Sequence, residues 1–158
     1  MMKKILLIAA VAAAVSGTTF AANVGVGLGT KESFVEASVL PKTTVGYARV
    51  YRDQYGHQND LYAKYDVMGE NLQVLGGWRN HMKGQNNSFY GGARVATDHF
   101  LGFQPYVSYV AGSSFGETNV GVNYDIGFGI ELNVNYHKYN PKHGKDESGV
   151  GVGASYQF

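Results

Sequence analysis

Few side chains in this 158-residue sequence have the type and spacing for chemistry. It has no cysteine, which excludes a disulfide scaffold or a thiolate metal site and suits passage through an oxidising compartment. Its histidines are His57, His81, His99, His137 and His143, and no two stand at i, i+2 or i, i+4, the separations that would set two imidazoles on one metal. His57 near Asp53 and Asp60, and His143 near Asp146 and Glu147, could meet a divalent cation at a charged surface, but turn residues are ordinarily polar and solvated without any ligand. His137 could act as the base of a lipid-modifying hydrolase. Such a base needs a nucleophile within hydrogen-bond reach, and no serine sits at a neighbouring position on its side of the strand. Gly25, Gly27 and Gly29 hint at a nucleotide-binding loop, but that fingerprint requires a helix to follow, and none does. The expectation is no catalytic residue, no metal and no cofactor.

The elements that hold these residues are strands. In Ser148 to Phe158, Val150, Val152, Ala154, Tyr156 and Phe158 share one parity, and Gly149, Gly151, Gly153, Ser155 and Gln157 the other, the period of two of a β-strand. From Asn23 onward the sequence is a series of such runs broken by turn residues. Ten strands are expected, at 23–30, 33–40, 44–52, 61–67, 71–79, 88–97, 104–112, 118–125, 129–139 and 148–158, with eight as the alternative because the first hairpin is short. At the other end, residues 1–21 carry Lys3 and Lys4, an apolar run from Ile5 to Val15 and small residues up to Ala21. This predicts a cleaved secretory signal peptide, leaving 22–158 as one domain. Eleven apolar residues would span only about 16 Å as a helix, roughly half a hydrocarbon core. Cleavage removes two lysines and no acid, so eleven basic residues face twelve acidic ones, a net charge of −1, and no nucleic-acid partner is implied.

A strand-built chain that meets a membrane must close into a barrel, because lipid cannot satisfy an open sheet edge. An arginine facing lipid near the midplane costs about 2–4 kcal/mol, so charges predict which parity faces inward. The rule places Glu36, Arg49, Lys64, Asp66, Arg79, Arg94, Asp125 and Glu131 inside as a balanced lumen network. In 44–52 it puts Tyr47, Arg49 and Tyr51 in and Gly46, Ala48 and Val50 out; in 104–112, Val107, Tyr109 and Ala111 are expected outside. Outward aromatics then collect in two belts, Trp78, Phe89 and Tyr136 at one rim and Tyr65, Tyr124, Tyr156 and Phe158 at the other, around an aliphatic band. The expected far-side connections are long, notably Arg52 to Asp60, Asn80 to Asn87 and Asn140 to Glu147, and those beside the termini short, except Asp98 to Phe103.

The final Phe158 with Tyr156 resembles the C-terminal assembly signal of Gram-negative outer-membrane barrels. Together with V-G-V-G-L-G-T at 24–30 and G-V-G-A-S-Y-Q-F at 151–158, the sequence resembles the YfaZ-like outer-membrane proteins and is similar in size to small barrels such as OmpX. The resemblance implies an integral outer-membrane protein that meets barrel-assembly machinery and periplasmic chaperones during biogenesis, and outer-membrane lipids and lipopolysaccharide afterwards. The fold expected is all-β, a transmembrane antiparallel up-and-down barrel. The function expected is a monomer with a filled lumen and a structural or surface-interaction role, the alternatives being a narrow pore or an outer-leaflet lipid enzyme.

Overall fold

The computed structural model describes residues 24–69 and 71–157. The expected signal peptide and Phe158 of the expected assembly signal lie outside these residues. Ten strands follow one another: β1 (Val24–Gly29), β2 (Glu32–Leu40), β3 (Thr43–Arg52), β4 (Gly56–Asp66), β5 (Leu72–Asn80), β6 (Ser88–Ala96), β7 (Phe103–Gly112), β8 (Phe115–Gly127), β9 (Ile130–Pro141) and β10 (Glu147–Gln157). Each pairs antiparallel with the next, and β1 pairs with β10 from Gly25↔Gln157 to Gly29↔Gly153, closing the cylinder. Closure leaves no strand edge unpaired between β1 and β10, so every strand has a neighbour on both sides. The two ends of the described chain lie at one rim, here the terminal end, and the turns after odd-numbered strands lie at the other, the far end.

Strands run further than the polar residues at their ends suggest. β4 begins at Gly56, so the turn expected from Arg52 to Asp60 shrinks to Asp53–Tyr55; β8 begins at Phe115, which takes Glu117 out of its expected turn. The expected contrast between long far turns and short terminal ones is correspondingly weak. The longest connection, His81–Asn87, is at the far end, but Thr97–Gly102 at the terminal end is nearly as long.

Parity follows expectation in most strands and inverts in β3. There Gly46, Ala48 and Arg52 are buried, Thr44, Ala48 and Val50 line the interior, and Val45, Tyr47 and Tyr51 are exposed outside. The register forces this. Gly46, Ala48 and Val50 stand opposite Tyr62, Asp60 and Gln58, which point inward. Arg49 therefore faces out, opposite Ser33 and Asn59, near the far end where a long side chain can carry its head along the surface to polar surroundings.

The interior is filled by a cross-strand rule. Four inward aromatics each stand opposite an inward glycine on the neighbouring strand: Phe34 opposite Gly27, Tyr62 opposite Gly46, Tyr90 opposite Gly77 and Tyr106 opposite Gly121. A Cβ at any of these glycines would fall within 2.1–2.6 Å of the facing ring, so each ring lies across its glycine against the wall. Gly92 is tighter still, for its added Cβ would meet the backbone oxygen of Tyr109 at 2.0 Å, and a backbone cannot swing away as a ring can.

Gly92→Ala is expected to destabilise by about 1–3 kcal/mol through overpacking, whereas Gly91→Ala, with its nearest neighbour 3.7 Å away, should stay within about 0.5 kcal/mol of the parent. Urea unfolding of the two variants from lipid vesicles measures the difference.

Candidate functional site

The densest constellation fills the far half of the interior. Arg79 lies at its centre. Its guanidinium donates to Asp60 through Nε (3.0 and 3.2 Å) and Nη2 (2.8 Å), and through Nη1 to Glu117 (2.7 Å). The other Glu117 oxygen accepts from Arg52 Nη2, whose own Nε donates to Gln58 (2.7 Å). Gln58 in turn donates to Asp60 (2.9 Å), closing a ring of five side chains from β3, β4, β5 and β8. Arg52, Gln58, Asp60 and Arg79 are all buried. Two arginines against two carboxylates leave no net charge, as desolvation demands of ions taken out of water.

Aromatic faces cover this ring. Arg79 lies over Phe115 (4.1 Å to the ring centre) and Tyr90 (5.1 Å), and Arg52 over Tyr139 (4.4 Å). Tyr55, Met82, Phe115 and Tyr139 form a buried apolar cluster above it. The far turns are tied down on top. Tyr55 Oη donates to the Lys145 carbonyl (2.7 Å), the Glu147 carboxylate accepts from the backbone of Asp53 (3.2 Å) and Gln54 (3.1 Å), and Gln85 donates to the His143 carbonyl (2.7 Å). Charge ring, apolar layer and stitched turns together make a plug at the far mouth.

The half nearer the termini is built differently, from neutral amides. Asn135 donates to Asn133 (2.6 Å), Asn133 to Asn123 (2.6 Å) and to Tyr106 Oη (3.0 Å), and Asn123 to Gln104 (3.5 Å). Arg94 donates to Gln104 (3.5 Å) and Gln73 (3.3 Å) and lies over Tyr106, while Gln73 donates to Asp66 (2.6 Å). The ladder crosses six strands. Beside it runs a polar cavity of about 490 Å³ that passes the Glu36–Lys64 ion pair and continues along the glycine-lined wall of β1 and β10 to Thr30 and Glu32.

Of the expected lumen charges, Glu36, Lys64, Asp66, Arg79, Arg94 and Glu131 all line this interior, Glu36 and Lys64 as a pair. Two do not. Arg49 is outside, for the register reason given, and Asp125 is exposed at the end of β8, where its carboxylate accepts from the Gly127 backbone (2.7 Å) and holds the following turn. Arg52, Asp60 and Glu117, absent from the expected network, form its strongest part. The legible signal was parity, since Asp60 continues the alternation of Tyr62, Lys64 and Asp66, and Glu117 that of Asn119 and Asn123.

The remaining residues fall as follows. Phe89, Tyr65, Tyr124, Tyr136 and Tyr156 are exposed on the outer wall, and Trp78 packs beside Phe89 with ring centres 4.4 Å apart. His57 stacks edge-on against Tyr51 outside, while Asp60 is bound inside, so the two never share a ligand. Among the described residues no group of three metal-ligating side chains comes together. His137 is buried in the wall with Asn119 and Gly149 directly opposite, neither of them a nucleophile.

No known protein family matches the sequence, and no curated protein matches it either. Solved structures do. The NanC porin covers 87% of this chain and 100% of its own at 12% identity and a TM-score of 0.44. A de novo designed transmembrane β-barrel covers 87% and 94% at 19% identity and 0.38, and the N-terminal barrel domain of Pseudomonas aeruginosa OprF 87% and 96% at 10% and 0.40. The barrel assignment rests on the closed ladder of this chain itself.

Arg79→Ala leaves the buried Asp60 without a counter-charge and Glu117 with Arg52 alone, and should cost about 3–5 kcal/mol. Arg94→Ala, which takes a donor from the amides of Gln73 and Gln104, should cost clearly less. The comparison is read from unfolding midpoints in the same vesicles, and an equal loss would mean that Arg79 is not the centre of the plug.

Proposed function

We propose that this chain is an integral outer-membrane protein, exported and folded with both ends in the periplasm, and that it serves as a monomeric structural or surface-interaction barrel and not as a general porin. The observation that carries the membrane reading is the outer wall. Val74, Val107, Val120, Val134, Val150 and Val152 are all exposed there, on strands whose other parity is mainly polar or glycine, Leu75 and Val110 being the inward aliphatics of β5 and β7. A water-soluble barrel has no use for an apolar exterior and a polar interior; in lipid that inversion is required. Outer-membrane lipids and lipopolysaccharide are then its lateral partners, and barrel-assembly machinery and periplasmic chaperones its partners in biogenesis. The kinship of the two chain ends with YfaZ-like proteins belongs to the same proposal.

The plug supports the filled-lumen reading, because its charges are paired and its apolar layer is dry, whereas a general pore keeps its lining charges wet. One observation favours a second reading, a narrow path. The cavity runs on past the plug along the glycine wall of β1 and β10, where Gly25, Gly29, Gly151 and Gly153 line it. The lipid-enzyme reading has no such support, given the neighbours of His137.

Two measurements test these readings. Val122→Arg places a charge against lipid and should cost about 2–4 kcal/mol near the midplane, while Asn123→Arg places it inside and should cost less; equal tolerance would overturn the assigned faces. In planar bilayers the unmodified protein should show no steady conductance, and replacing Arg52 and Arg79 by Ala together should open a leak. A steady ohmic current from the unmodified protein would sink the filled-lumen reading and select the path along the glycine wall.

A further inference from the structure

The two rims differ in chemistry. Each of the four turns at the terminal end carries an exposed apolar side chain at or beside its tip: Leu40 (60% exposed), Met68 (69%), Phe100 (74%) with Leu101 (78%), and Phe128 (95%). The five far turns instead present residues such as Lys31, Asp53, Lys83, Ser113 and Lys145, and their one large apolar residue outside the stitched tyrosine, Met82, is buried in the plug. Apolar turns that simply protruded into the periplasm would each leave a large side chain in water, four times over.

The height of the barrel explains them. On the outer wall of the β8–β9 hairpin the last polar pair toward the far end is Thr118 opposite Lys138, and the apolar series begins at Val120 opposite Tyr136. If the membrane ended at the Tyr124–Leu132 pair, the six residues below Thr118 would cover only about 15 Å, at 3.3 Å per residue and a tilt near 40°. The apolar band of an outer-membrane barrel is about 25 Å tall. Ten residues reach that height, and ten residues from either Thr118 or Lys138 end at Phe128. The apolar face is continuous over the whole distance through Val120, Val122, Tyr124 and Ile126.

We propose that the four terminal-end turns are not periplasmic loops but lie in the inner leaflet, with Leu40, Met68, Phe100, Leu101 and Phe128 seated at the boundary between phospholipid headgroups and acyl chains. This inference rests on the membrane reading above and fixes how deep the barrel sits. Phe128 is built for the position. It occupies the tip with a φ of 57° between Gly127 at 92° and Gly129 at 77°, a run of three left-handed residues that turns its ring away from the barrel wall and the interior. The side chain of a non-glycine residue in that conformation is strained, and its burial in lipid offsets the strain.

The chain has a single tryptophan, Trp78, on the outer wall, which supplies both the test and its control. Trp78→Phe combined with Phe128→Trp, and in a second protein with Leu101→Trp, moves the only indole to a turn. Each protein, and the parent, is folded into phosphatidylcholine vesicles whose acyl chains are brominated near the headgroup, and emission is followed with and without aqueous iodide. The expected result is blue-shifted emission at 128 and 101, quenched by bromine as strongly as Trp78 and shielded from iodide. If Trp78 is quenched by bromine but the turn indoles are red-shifted and open to iodide, the turns are periplasmic and this inference fails while the membrane barrel stands. If no indole is quenched, the membrane reading itself fails and takes this inference with it. Turn indoles shielded from iodide yet untouched by bromine, increasingly so with protein density, would put a second copy of the chain on this rim and likewise overturn the lipid assignment.

Discussion

Arg79 is the residue around which the far half of the barrel is organised, because its guanidinium meets the carboxylates of Asp60 and Glu117 at once. A closed ten-stranded cylinder has an interior that must be filled, and at the far end it is filled by ions. Asp60 and Glu117 come from strands on different sides of β5, and neither could be carried into a dry mouth without a counter-charge. The planar guanidinium reaches both, with Phe115 and Tyr90 against its faces, a geometry that an ammonium could not reproduce. Arg52 then completes the pairing of Glu117. The apolar cluster and the stitched turns follow, since they can be dry only if the ions beneath them are already satisfied.

The glycines and aromatics solve the remaining volume problem one register step at a time. An inward tyrosine in a narrow cylinder would collide with its neighbours if it stood straight up from the wall. Laid across a glycine on the adjacent strand, it covers the bare backbone and leaves the axis to the next layer. Phe34, Tyr62, Tyr90 and Tyr106 all do this, each with its direct cross-strand partner. Where two glycine-bearing strands meet with no aromatic between them, as at Gly29 and Gly153, nothing fills the space, and that is where the cavity runs.

Period-two alternation made the strand count, the closure and nine of the ten inward faces readable from the sequence, because a one-residue error in parity turns a whole strand inside out. β3 shows where the method breaks. Arg49 and Arg52 have opposite parity, so one of them has to face outward, and a rule that keeps arginine from lipid cannot choose between them. At the start of the expected turn, Arg52 leaves the inward place to Arg49, the reverse of what the register dictates. Asp60 and Glu117 are likewise hidden, since polar residues near a strand end look like turn residues whether they project into solvent or into a plug. Ion pairing across strands is a tertiary fact. Only the register, which sets Ala48 against Asp60 and Arg79 against Ser88, reveals which of these ends point inward.

The two halves of the interior also explain each other. Ions taken out of water must have every partner in place, which holds for the ring beneath the tied-down far turns. Toward the terminal mouth the ladder borders the open polar cavity, and its side chains are mainly amides, with the Glu36–Lys64 ion pair beside them. Neutral amides suit that setting: each can exchange a protein partner for water at small cost, so the ladder from Asn135 to Gln73 tolerates a wet lumen that would weaken the ring around Arg79. Arg94, held by two amide oxygens and a tyrosine face, stands between the two halves. A barrel with its ion ring beneath the polar rim and its amide ladder toward the apolar rim therefore carries its orientation in its interior as well as on its outer wall.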